Sequence, residues 1–357
     1  MLYIVHTTGK CNLRCKYCGG SFPPQLVPWS PRYDPRLLKE LVESDPDAIL
    51  AFYGGEPLLN APFVMWALDN IEARHYVIQT NGTLNHLLPP EYWRRFDTVL
   101  LSIDGVEWLT DKYRGHGVYR RVVSEAQRLR RIGFTGDLIA RMAVTEDSDI
   151  YRDVKHLLSL GPFSHVHWQL DVVWSDRWRS FPRWRDEIYL PGLERLASEW
   201  LDSMAHGEVW GIAPFKAVMS QILWGVYEGM PCGAGRDAVS ILTNGRIVAC
   251  PIAVSEEWAL LGRLGEATPD DLRDRVPVGE PCTSCPYYRV CGGRCLYAYK
   301  ERFWGDQGFR EVCRATQGFI DLMLRAAPEV RRLLSGGIVK KENLYYPPFN
   351  NTVEVIP

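Results

Sequence analysis

The chain has 357 residues, 46% of them hydrophobic and 24% charged, with a formal net charge of −2. That is enough apolar material for ordinary globular cores, two domains by length, and the near-neutral balance gives no global attraction to nucleic acid or an anionic membrane. The opening MLYIVHTTGK has neither a basic leader nor a long apolar stretch, so it does not read as a signal peptide. No apolar run reaches the roughly 18 residues of a spanning helix. Ten cysteines without a secretion signal point to metal ligation in a reducing, cytoplasmic setting.

Residues 2–8 form a short apolar, β-branched run that predicts a strand. A loop with three cysteines follows. Residues 35–44 read as helix, 48–55 (AILAFYGG) as a buried strand ending in glycines, and 60–72 as helix. Strands at 75–82, 98–105, 137–145 and 165–173 alternate with helices around 90–96, at 118–132 and at 149–160. Six strands alternating with helices argue for βα units and a parallel sheet with right-handed crossovers. The expected class is α/β, a partial (β/α)6 TIM-type barrel whose chemistry sits just after the strands.

From 174 to 185 the sequence WSDRWRSFPRWR interleaves arginines with tryptophans. It fits either a lid or a patch for an acidic peptide or nucleic acid, or an irregular surface connection whose rings pack on the barrel, and the last reading is favoured. Helices are expected at about 185–206 and 212–228. The organisation expected is a barrel with following helices over 1–228, a cysteine-rich domain over 229–335 and an extended tail over 336–357.

The early cysteines, Cys11, Cys15 and Cys18, have the spacing C-x3-C-x2-C. Three thiolates on one loop can ligate three irons of a 4Fe–4S cube and leave the fourth open. A zinc site would want four ligands, buried free thiols are a further reading, and a disulfide framework suits a small secreted chain. Gly54, Gly55, Glu56 and Pro57 follow the second strand. Glycines let backbone pass close to a ligand, and the Glu56 carboxylate or nearby carbonyls can accept from an ammonium group. Asn81, Ser102 and Asp104 end the third and fourth strands, where short polar side chains suit ribose hydroxyls and also cap helices or make turns. Arg141 lies on the fifth strand, placed either to pair with a carboxylate or to make an ordinary salt bridge. Seven more cysteines, Cys232, Cys250, Cys282, Cys285, Cys291, Cys295 and Cys313, exceed the four that one cluster needs.

The run CNLRCKYC, with aromatic Tyr17 before its last cysteine, resembles the radical S-adenosylmethionine (SAM) enzymes, and so do GGEP, QTNG, LSIDG and DKYRG at their positions. The resemblance implies that the open iron chelates the amino and carboxylate groups of SAM, that GGEP holds the amino group, and that an electron from the cluster yields a 5′-deoxyadenosyl radical. Tyr17, Asn81, Ser102, Asp104 and Arg141 are the implied cofactor contacts. The later cysteines resemble the SPASM domain with two auxiliary 4Fe–4S clusters, so three clusters in all. By position Cys282, Cys285, Cys291 and Cys313 would hold the outer cluster, and Cys232, Cys250 and Cys295 the inner one with its fourth ligand open.

In sulfatase-maturing relatives an aspartate that acts as a base follows the second cysteine of this domain. Here Pro251 and Ile252 follow Cys250, which counts against formylglycine formation. The strand begins at once, so no leader-recognition domain is expected ahead of it. The implied function is modification of a ribosomal peptide (a thioether, a carbon–carbon crosslink or an epimerisation), with a small-molecule radical dehydrogenase or decarboxylase and a noncatalytic electron carrier as alternatives. An external donor such as a ferredoxin or flavodoxin is implied. Tyr113, Tyr119, Trp168, Asp171 and Trp174 lie near strand ends and are candidates for the substrate side.

Overall fold

The computed structural model describes residues 1–173 and 178–347; Trp174 and the tail from 348 onward lie outside the described residues. In chain order the elements are β1 (Leu2–Thr8), α1 (Pro35–Glu43), β2 (Ile49–Gly54), α2 (Ala61–Asn70), β3 (His75–Thr80), α3 (Pro90–Trp93), β4 (Thr98–Ser102), α4 (Glu107–Arg114), α5 (Val118–Arg131), β5 (Asp137–Val144), α6 (Ile150–Ser159) and β6 (His165–Leu170). Then come α7 (Phe181–Trp184), a π-helical turn (Arg185–Tyr189), α8 (Leu190–Ala205), α9 (Ala213–Trp224), β7 (Ala238–Ile241), β8 (Arg246–Val248), β9 (Leu260–Arg263), α10 (Pro269–Leu272), α11 (Tyr288–Cys291), α12 (Leu296–Glu301), α13 (Gly305–Ser335) and α14 (Lys341–Leu344). All six expected strands are present. The fourth stops at Ser102 rather than 105. The helix expected over 212–228 ends at Trp224, because Gly225 takes a left-handed φ of 61° and closes it.

The chain divides into two compact units. The first contains residues 1–103, 110–139 and 232–277. Its sheet runs in the order β4-β3-β2-β1-β7-β8-β9. β1 pairs in parallel with β2 on one side (Ile4 opposite Ala51) and with β7 on the other (Ile4 opposite Ser240). Every residue of β1 is buried, as expected of a central parallel strand covered on both faces. The helices follow from apolar spacing. α5 buries Val118, Val122, Ala126 and Leu129 on one stripe. α1 starts on an Asp34 cap with Pro35 in its first turn and buries Leu38, Leu41 and Val42. The cysteine-rich stretch after 231 therefore extends the same sheet. Its strands are only three or four residues long, too short to show an alternation in the sequence.

The second unit contains residues 104–109, 140–231 and 278–357. Its core is aromatic: Trp168 of β6 meets Phe215 of α9 and Phe319 of α13 at ring-centroid distances of 6.1 and 6.4 Å. Phe215 also meets Trp200 of α8 at 5.5 Å. α13, of 31 residues, buries Val312, Ala315, Phe319, Met323, Ala326, Val330 and Leu333 at helical spacing. In the tryptophan–arginine segment, Trp178, Phe181 and Trp184 stack on one another and on Trp304 and Tyr189, within 6.4 Å; the rings pack inward. Near the chain end Tyr346 is buried, so the segment expected to be an extended tail is anchored at least to that residue.

Candidate active site

The cysteine loop leaves β1 and is held by backbone bonds to the end of β2. Gly55 N–H donates to Thr8 O (3.0 Å) and Glu56 N–H to Lys10 O (2.9 Å). The approach explains the two glycines of GGEP. A Cβ on Gly54, whose φ is +133°, would stand 2.3 Å from Thr8 O, and one on Gly55 would stand 2.3 Å from Lys10 O. These glycines let the end of β2 lie against the chain entering the loop. Pro57 begins a short 3-10 turn, and its carbonyl accepts from Thr7 Oγ1 at 3.0 Å.

Glu56 is 1% exposed. One carboxylate oxygen accepts from Leu58 N–H (3.1 Å) and Thr80 Oγ1–H (2.7 Å), the other from Asn81 N–H (2.8 Å). Burial nonetheless outweighs these three donors and pushes its pKa up to about 7. The Asn81 amide donates to Asn12 Oδ1 at 2.8 Å and reaches Cys11 Sγ at 4.0 Å, while its oxygen accepts from Thr83 N–H and Oγ1–H. Asn12 in turn donates to Thr83 Oγ1 (2.8 Å). Glu56 and Asn81 thus join the ends of β2 and β3 to the cysteine loop. Thr80, Asn12 and Thr83 belong to the same network. Sequence reasoning missed them, although Thr80 stands in the QTNG run already singled out.

Within the loop, Cys18 and Gly19 N–H both donate to Cys15 O (3.2 and 3.0 Å), and Lys16 N–H donates to Tyr113 O (2.9 Å). Tyr17 stacks on Tyr113 with centroids 5.9 Å apart, and the buried Arg114 guanidinium lies 5.4 Å from the Tyr17 ring. Cys15 is buried, Cys11 half-buried and Cys18 exposed, all as free thiols. A hydrogen bond with Cys15, helped by Gly20 N–H and the Arg114 charge, pulls the Cys18 thiol down to about 6; burial pushes Cys11 up. Thiolate is the ligating form, so binding would displace the thiol protons; the loop presents three sulfurs with no disulfide among them. That donor set fits a cube with one iron left open. Among the described residues no three Cys, His, Asp or Glu side chains converge as ligands of a single metal ion, whereas each ligand of a cube meets a different iron.

His6, on β1, is a further residue the sequence reading passed over. It is fully buried between Phe22 and Tyr53 (centroids 5.5 and 5.3 Å), and burial lowers its pKa to about 3, so it is neutral. Ser102 is buried at the end of β4 in the same unit.

Asp104 and Arg141 belong to the second unit. Asp104 Oδ1 accepts from Ala143 N–H at 2.9 Å, and Arg141 donates to Gln169 Oε1. Trp168 is fully buried and donates to Tyr189 Oη at 3.1 Å. Its ring belongs to the aromatic core, which corrects the expectation of a substrate contact. Asp171 accepts from Trp178 Nε1 through its carbonyl (2.6 Å). Tyr119, in the first unit, donates its backbone N–H to Asp111 (2.9 Å).

Of the later cysteines, Cys232 and Cys250 lie in the first unit, where Gly235 N–H donates to Ala249 O (3.2 Å) and sets the two segments side by side. Cys295 lies in the second unit and is buried. Cys282, Cys285, Cys291 and Cys313 line one cavity of that unit, with Arg294 and Phe309 in its wall. Burial first, then mutual repulsion of the sulfurs, pushes Cys282 up to about 11; burial pushes Cys291 up to about 12 and also raises Cys313. Four thiols around one cavity fit the ligand set of a complete cluster, whose binding would displace their protons.

Residues 5–157 match the family model of the Radical SAM superfamily. The chain carries a radical SAM domain, the catalytic module of that enzyme superfamily, on its α/β fold with a parallel sheet, and with the family come SAM and a 4Fe–4S cluster. One curated relative is the cysteine-type anaerobic sulfatase-maturating enzyme of Clostridium perfringens (strain 13 / Type A), 21% identical over 367 residues, covering 90% of this chain and 95% of that protein. Another is the mycofactocin maturase MftC of Mycolicibacterium smegmatis, 24% identical over 320 residues, covering 82% of this chain and 76% of that protein. The solved structure of native anSMEcpe with bound AdoMet and Cp18Cys peptide superposes with a TM-score of 0.71 at 19% identity, over 94% of this chain and 99% of that one; this likeness concerns the fold. Among the described residues no helix is long and apolar enough to cross a membrane.

Proposed function

We propose that the protein modifies a ribosomally made peptide by radical SAM chemistry, with three 4Fe–4S clusters. Cys11, Cys15 and Cys18 would hold the SAM-binding cluster, Cys282, Cys285, Cys291 and Cys313 the outer auxiliary cluster, and Cys232, Cys250 and Cys295 the inner one. When bound, the SAM-binding cluster and SAM supply the radical that takes hydrogen from an unactivated C–H bond. The chain's own part is to hold that chemistry in place. Glu56, through Thr80 and Asn81, fixes the backbone around the loop, and Gly54 and Gly55 allow the strand ends to close on it. Tyr17, Ser102, Asp104 and Arg141 are proposed as cofactor contacts, and an external reductant in a reducing cytoplasm as the electron source.

The observation that carries this reading is the cysteine loop tied by Asn81 and Glu56 to the GGEP strand end. The peptide class is supported by relatives that mature a sulfatase and mycofactocin. Pro251 after Cys250 favours a bond other than that of formylglycine.

The test is anaerobic reconstitution followed by SAM and dithionite. Iron should approach about 12 per chain, and 5′-deoxyadenosine should form and be lost in the C11A/C15A/C18A variant. Coexpression with short peptides encoded nearby should give a product seen by mass spectrometry, or deuterium uptake from D2O for an epimerisation. A fully loaded protein that makes no 5′-deoxyadenosine would refute the proposal.

A further inference from the structure

We infer that Arg294 is the fixed positive charge that sets the redox potential of the auxiliary cluster on Cys282, Cys285, Cys291 and Cys313. The inference rests on the cluster assignment proposed above. The turn between Cys291 and Cys295 is unusual. Gly292, Gly293 and Arg294 have φ of 59°, 95° and 58°, three left-handed residues in succession. Bonds from Arg294 N–H to Cys291 O (2.9 Å) and from Cys295 N–H to Gly293 O (2.8 Å) close it. Glycine is required at 292, where a Cβ would fall 1.6 Å from Gly229 O. No such requirement calls for arginine at 294. A long L-side chain in this region is strained, and strain of this kind persists where the surroundings hold it for a purpose. Among the described residues only Asp274, Arg294 and Arg302 are non-glycine residues with positive φ, so two of the three are arginines of this cysteine-rich segment.

The strained turn puts Arg294 in the wall of the cavity that the four thiols line, 6% exposed. A guanidinium does not lose its proton, and a buried cation is stabilised by a nearby anion. Thiolates around an iron–sulfur cube form an anion that gains a further negative charge on one-electron reduction. A fixed cation beside it favours the reduced form and raises the potential. Arg302 lies in a similar strained position, but its Nη1 is 2.6 Å from Asp306 Oδ1 and its side chain is 32% exposed. Its charge is therefore more strongly screened by water than that of Arg294, which is 6% exposed.

The reconstituted full chain is titrated with dithionite and redox mediators and followed by electron paramagnetic resonance. The outer cluster's signal is the one that Cys282→Ala removes together with its iron; if Cys282→Ala keeps all iron and every signal, the cluster assignment itself falls. In Arg294→Gly the backbone relaxes while the charge is lost. Expected is unchanged iron and a fall in that signal's midpoint potential, with Arg294→Lys holding close to the parent value and Arg302→Gln shifting it less than Arg294→Gly. An unmoved midpoint in Arg294→Gly with iron retained, loss of this iron in both Arg294 variants, or a fall in Arg302→Gln as large as that in Arg294→Gly would each overturn the inference.

Discussion

Glu56 sets two effects against each other. Three donors meet its carboxylate, which favours the anion, and complete burial disfavours it; burial wins, leaving the pKa at about 7 against an ordinary 4.5. The folded protein thus keeps a proton that the unfolded chain releases above about pH 4.5. The associated stability is full below that pH and is lost as pH rises through about 7. The difference is on the order of 3 kcal/mol. Thermal unfolding measured from pH 5 to 8 should show the parent losing stability with rising pH, and Glu56→Gln, whatever its absolute stability, should lack that slope. Equal slopes would show that Glu56 does not titrate in this range. The GGEP and QTNG runs are legible in the sequence, but their mutual bonding is not. A sequence shows a carboxylate next to glycines and suggests an ammonium partner. Only the parallel pairing of β2 with β3 brings Asn81 N–H and Thr80 Oγ1 to that carboxylate, from 25 and 24 residues away.

At the scale of elements, close backbone approach decides the geometry around the loop. Gly55 illustrates it, since an added Cβ would meet Lys10 O at 2.3 Å and backbone cannot rotate aside as a side chain can. Gly55→Ala should therefore push β2 from the loop entry. We expect a loss of about 1–3 kcal/mol, the range of buried steric effects, read as a lower denaturant midpoint, and with it a deficit of iron confined to the Cys11, Cys15 and Cys18 site. Unchanged stability and iron would mean that the loop adapts. The strands and most helices of the first 170 residues could be anticipated because apolar runs and helical stripes mark them. α4 was not, since EWLTDKYR offers little apolar stripe to read. β7 to β9 were not, because three or four residues carry no period. α13 has a clear stripe from Val312 to Leu333, but Gly318 and Pro328 inside it are residues that disfavour a continuous helix.

The whole chain does not fold as a string of separate segments. It passes between its two compact units five times, at 103/104, 109/110, 139/140, 231/232 and 277/278. Five cysteines, Cys11, Cys15, Cys18, Cys232 and Cys250, fall in the first unit and five, Cys282, Cys285, Cys291, Cys295 and Cys313, in the second. The consequence can be tested by cutting at the start of the cysteine-rich stretch. β1 is central only because β7 pairs with its far edge, Leu2 opposite Ala238 through Val5 opposite Ile241. A fragment of residues 1–231 would keep β1 but leave that edge open, with its buried, mostly apolar side chains uncovered and its backbone groups unpaired. Such an edge recruits other chains. The fragment should therefore aggregate on expression, and amides of β1 should lose protection from hydrogen exchange relative to the full chain, while those of β3, paired on both sides by β2 and β4, should be affected less. A monomeric fragment 1–231 that unfolds cooperatively with β1 protected would show instead that the first six strands suffice, and that β7 to β9 are an addition to a fold already complete.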